Sequence, residues 1–76
     1  MISFVDWLAR QTRRRDAIGD LARDTRRDDT WPPSGKITRA KLHAHLDAHD
    51  AIPGARAALD TAWEEWDTLR RQERDA

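Results

Sequence analysis

Seventy-six residues with zero net charge, no cysteine and 38% apolar content allow one small domain, expected to span 1–76, and leave no room for a second. Without cysteine there is no disulfide staple and no thiolate metal centre, and the expected location is the cytoplasm. No run approaches the ~20 apolar residues of a membrane span, so no membrane partner is expected.

The apolar set consists of twelve alanines and seventeen larger side chains, four of them tryptophan. A chain of this size buries only about 60% of its unfolded surface, so these residues suffice for one core but not for a deep, dry catalytic cavity as well. Charge is unevenly placed. Residues 1–40 hold nine Lys/Arg against six Asp/Glu, and residues 41–76 hold five against eight, giving halves of +3 and −3. Such a dipole is compatible with head-to-tail association or with a small basic patch.

Ser3 opens the first predicted helix as its cap, with Asp6 at the capping-box position. Phe4, Trp7 and Leu8 follow at i, i+3, i+4 and form one apolar stripe. Polar residues 11–15 lead to a second helix begun by Asp16, with Ile18, Leu21, Ala22 and Thr25 on one face. Asp16 and Asp20 near its start, and Arg26 and Arg27 near its end, complement the helix dipole. Gly19 is expected to allow a close helix contact. Residues 28–35 break the helix, because Pro32 and Pro33 lack amide donors and Gly35 favours a turn. Trp31 is expected to anchor this loop by its ring.

A third helix is predicted from Thr38 to about His49, with Ile37 and Leu42 as a hydrophobic staple around the cap and Leu42 and Leu46 facing the core. Residues 50–54 read as a tight turn in which Asp50 caps the next helix and Pro53 takes its first turn. Residues 48–56 also have room for a short extra turn, so the count is four or five helices. In the last helix Ala55, Ala58, Leu59, Ala62, Trp63, Trp66 and Leu69 recur at three- and four-residue steps, and fraying is expected from Arg70 onward. No alternating run reads as a strand. The predicted fold class is all-α.

Ser3-Phe4 with Trp7-Leu8, then residues 18–24, Trp31-Pro32 and Ala62-Trp63-Glu64-Glu65-Trp66 together resemble the YozE-like family of short bacterial proteins, over about Ile2 to Trp66. Trp31 and Trp66 depart from the phenylalanine and tyrosine expected in many relatives but keep the aromatic role. The histidine-rich third helix is particular to this chain. The resemblance implies a compact bundle with a sterile-alpha-motif-like (SAM-like) fold. It carries no activity with it, and SAM-like bundles in general serve protein association and nucleic-acid binding.

His45 and His49 lie four apart on one helical face, but a zinc site needs further ligands, and His43 is turned about 200° from His45. They read as half-buried residues flanking Leu42 and Leu46, and no metal or other cofactor is expected. Ser34-Gly35-Lys36 lacks the earlier glycine, the following Ser/Thr and the preceding strand of a phosphate loop. Two serines in a cap and a turn, and carboxylates spread over exposed faces, supply no nucleophile and no separated acid–base pair. No enzyme and no small-molecule substrate is expected. Arg13, Arg14, Arg15, Arg23, Arg26 and Arg27 form a candidate phosphate-binding patch diluted by interleaved aspartates. The 28–37 connection is too long for a helix-turn-helix. Trp7, Trp63 and Trp66 follow core stripes, which leaves Trp31 as the candidate partner contact. The leading expectation is a non-enzymatic module for association with itself or another protein. The alternative is weak, sequence-independent nucleic-acid binding through arginines 10–27.

Overall fold

Three of the four helices begin where a side chain closes the first turn. The computed structural model describes residues 1–49 and 53–75, which hold α1 (Phe4–Ala9), α2 (Ala17–Arg26), α3 (Arg39–Ala48) and α4 (Ala55–Asp75). Ser3 Oγ accepts the Asp6 N–H at 3.2 Å, Asp16 Oδ1 accepts the Gly19 N–H at 3.0 Å, and Thr38 Oγ1 accepts the Lys41 N–H at 3.1 Å. Each bond satisfies one of the amide donors that a helix start leaves open. The three caps are the residues expected from the sequence.

The fourth start differs from expectation. Gly54, at φ +80°, turns the chain into α4, and its carbonyl accepts the Ala58 N–H at 2.9 Å. Pro53 therefore precedes the turn residue instead of occupying the first helical turn. A left-handed φ is open to glycine and closed to proline, whose ring holds φ near −65°. The expected cap at Asp50 lies outside the described residues, as does part of the 48–56 stretch that leaves the count open between four and five helices.

The core unites all four elements. Phe4, Trp7 and Leu8 of α1 meet Ile18, Leu21 and Ala22 of α2, Leu42 and Leu46 of α3, and Ala55, Ala58, Leu59, Ala62 and Trp66 of α4. The longest helix, α4, packs against each of the other three. Alanines in its first half let its neighbours approach, and aromatic bulk fills the second half. There Phe4 lies 4.8 Å from Trp63 and 5.8 Å from Trp66 between ring centroids, and the Trp66 indole N–H donates to the Ile2 carbonyl at 3.0 Å. The all-α class is as expected, and no strand occurs among the described residues. No described helix is long and apolar enough to cross a membrane.

Two expectations for α4 need correction. Leu69 continues the apolar stripe but is 39% exposed, because α1 is only six residues long and its side of the core ends at Trp66. The helix also continues past Arg70 to Asp75. Arg70 and Arg71 both pair with Asp67, and the amino group of Met1 pairs with Glu73 at 2.8 Å. These contacts extend order beyond the point where apolar periodicity stops.

Gly19 serves a different neighbour from the one expected. A β-carbon there would lie 2.0 Å from the Arg14 carbonyl oxygen, so the close approach is to the α1–α2 connection and not to another helix.

Candidate functional site

The histidines separate in the fold. His45 is buried and places Nε2 2.9 Å from Asp28 Oδ2 and 3.4 Å from Thr30 Oγ1. The Trp31 ring meets it edge-on at 5.4 Å, and His49 stacks on its other side at 4.3 Å. His45 is thus more enclosed than the half-buried boundary position expected of it, because the 28–31 loop folds over it; His49 stays exposed. The Asp28 carboxyl lies well below its ordinary range, chiefly through the Thr30 hydroxyl and then through His45. Trp31 is partly buried against the core, the anchor that its place in the loop implied.

His43 turns the other way, as its position on the helix required. It donates from Nε2 to Asp60 Oδ1 at 2.7 Å, and Arg39 Nε reaches the same oxygen at 2.9 Å. Arg56 Nε donates to the other ring nitrogen of His43 at 3.3 Å. These bonds dock α3 on α4 and lower the Asp60 pKa, His43 contributing most and Arg39 next. Among the described residues no group of three or more His, Asp or Glu is placed to hold a metal.

The arginine cluster divides by partner. Arg14 spans two elements, reaching Asp16 at 2.8 Å and Glu65 of α4 at 2.8 Å. Its guanidinium is held above its already high range, by Glu65 first and then Asp16, and Asp16 is correspondingly lowered by Arg14. Arg23 donates to the carbonyls of Thr12 and Arg14 at 2.7 and 2.8 Å and pairs with Asp20 at 2.5 Å. Arg13, Arg15, Arg26 and Arg27 are exposed and make no ion pair among the described residues. An open groove of about 500 Å³ lies at the end of α2, lined by Thr12, Arg23, Arg26 and Arg27.

An apolar groove of about 360 Å³ lies on another face, where three segments converge. The first turn of α1 contributes Phe4 and Val5, the connection before α3 contributes Pro32, Pro33 and Ile37, and α4 contributes Trp63 and Trp66. Ser3, Asp6 and Gly35 complete the lining. Arg70 lies 4.7 Å above the Trp66 ring, a cation–π contact, and is bonded to Asp67. The sequence places Trp63 on a core stripe, whereas in the structure it is only partly buried and forms a wall of this groove. Val5, Pro32, Pro33 and Ile37 carry no motif that marks them as lining residues. Their shared role comes from long-range packing that no local spacing encodes. Trp31 itself does not line the groove, although the two prolines after it do.

Compared with protein-family models, curated proteins and solved structures, the chain matches none.

Proposed function

We propose that this chain is a cytoplasmic, non-enzymatic interaction module, a SAM-like bundle of the YozE-like kind, that associates with a second copy or another protein through the groove between α1, residues 32–37 and α4. The observation that carries this reading is the groove itself. It presents Val5, Pro32, Pro33, Ile37 and Trp63 as a partly exposed apolar surface on a packed aromatic floor. A concave apolar surface with an aromatic wall, held by rigid helices, is the form in which a buried anchor side chain yields binding energy.

The non-enzymatic part rests on the state of the carboxylates. Asp16, Asp28, Asp60 and Asp67 are all held below their ordinary range by arginine, histidine or threonine partners. Each is engaged by a neighbouring side chain that closes a turn, pairs within a helix or docks one helix on another, which supports a structural role for these carboxylates. The family reading rests on the sequence resemblance from Ile2 to Trp66, carried by Ser3-Phe4, Trp7-Leu8, residues 18–24, Trp31-Pro32 and residues 62–66.

Val5→Glu tests the reading, because an acidic residue in the first turn of α1 suits the helix dipole while placing a charge in the groove. Sedimentation velocity across a concentration series reads self-association. Affinity capture, followed by reconstitution from purified components, reads a heterologous partner. The expected result is association by the wild type, weakened at least tenfold in the variant while circular dichroism stays unchanged. A wild-type chain that stays monomeric and reconstitutes with nothing, or a variant that binds as well as the wild type, overturns the proposal.

A further inference from the structure

The basic face at the end of α2 is built by a clamp. Residues 10–27 contain seven arginines and three aspartates, a net charge of +4. Arg23 grips the carbonyls of Thr12 and Arg14 and so draws the α1–α2 connection against α2. Arg13 lies between the two gripped residues, and Arg15 lies directly after the second. This arrangement sets the connection beside Arg26 and Arg27, with Thr12 in the groove between the two segments.

The same bonds sort the charges. Asp16 is taken by Arg14 and Asp20 by Arg23, so two of the three aspartates are already neutralised. What remains within residues 10–27 is Arg10, Arg13, Arg15, Arg26 and Arg27 against Asp24, and of the two aspartates that follow, Asp28 is engaged by Thr30 and His45 while Asp29 is exposed. Arg14 and Arg23 are the scaffold of this face, while Arg13, Arg15, Arg26 and Arg27 are exposed and unpaired among the described residues.

From this arrangement we infer that the Thr12–Arg27 groove is a phosphodiester-binding face that holds a nucleic-acid backbone through Arg26 and Arg27, with the exposed Arg13 and Arg15 of the adjoining connection reaching neighbouring phosphates. Guanidinium groups match phosphate oxygens as planar, bidentate donors. The groove is lined by Thr12 and arginines only. It therefore offers no apolar floor on which an acidic polypeptide would bury the core of a protein interface. It also presents no aromatic ring or carboxamide for a base, and exposed guanidinium groups on backbone phosphates give sequence-independent binding driven by counterion release.

The test is fluorescence anisotropy of the full chain with a labelled 20-base-pair DNA duplex, from 50 to 200 mM salt. Four phosphate contacts predict a slope of log K against log salt of about −3.6, at roughly −0.9 per contact. Arg26→Gln with Arg27→Gln is expected to weaken binding at least tenfold at 50 mM salt and to reduce the slope by about 2. Lys36→Gln, with Arg74→Gln, supplies the same loss of charge at exposed positions outside the groove and is expected to change binding less than threefold. Absence of binding at 50 mM salt overturns the inference, as does an equal loss in the control pair. Equal affinity for polyglutamate overturns it as well, since the face would then select charge and not phosphate. The Val5→Glu experiment is independent of all these outcomes, because Val5 lies in the other groove.

Discussion

Gly19 shows how one residue obeys two rules that point in opposite directions. Alanine in a helix is ordinarily more stable than glycine by about 0.5–1 kcal/mol. Here the added β-carbon would meet the Arg14 carbonyl at 2.0 Å, a distance that backbone atoms must shift to relieve. Gly19→Ala is therefore expected to destabilise the fold by about 1–3 kcal/mol, the usual cost of overpacking, as read by urea unfolding. A gain in stability would contradict the assigned contact. The sequence marks Gly19 as a site of close approach, but the neighbour is a loop carbonyl, which no helical periodicity reveals. Asp28 gives a second prediction at this scale. Its folded pKa is depressed, so its stabilising contribution is complete above the ordinary aspartate value near 3.8 and is lost as pH falls through the lower folded value. The melting temperature of the wild type should fall steeply below about pH 4, and Asp28→Asn should shallow that acid limb while lowering stability at pH 7. Parallel acid limbs would contradict the role given to Asp28.

At the scale of elements, α1 is too short to persist alone, since six residues form fewer than two turns and helix nucleation is costly. It stands on the Ser3 cap and on the burial of Phe4, Trp7 and Leu8. Ser3→Ala should cost about 1 kcal/mol, and Leu8→Ala, at a fully buried position, about 2–5 kcal/mol. Both the cap and the stripe are legible in the sequence because their spacing is local. The end of α4 is not, because Met1 and Glu73 are 72 positions apart. Acetylating the N-terminus removes the charge that holds Glu73. The expected result is faster amide hydrogen exchange over residues 70–75, with a global stability loss below about 1 kcal/mol, as befits an exposed ion pair. Unchanged exchange there would contradict the account of why α4 outlasts its apolar stripe.

Across the whole molecule, the sequence predicts the all-α class, three of four helix starts and nearly all of the core, because each depends on capping chemistry or on a 3.6-residue period. It does not disclose the two grooves. One arises where the first turn of α1, two prolines of a connection and two tryptophans of α4 converge. The other arises where Arg23 folds a connection back onto its own helix. The arginine cluster is visible as composition, but its division into scaffold and free guanidinium groups needs the fold. The histidines make the same point: a pair that shares a helical face suggests a common site, yet His45 closes a loop with Asp28 and His49 stacks beside it.

The most direct test is an NMR chemical-shift map of the labelled chain, in a dilution series and with any partner reconstituted from capture. The account predicts concentration- or partner-dependent shifts centred on the amides of Val5 and Ile37 and on the indole N–H of Trp63, lost in Val5→Glu. Shifts that spare those three groups, or that survive in the variant, would contradict docking in this groove.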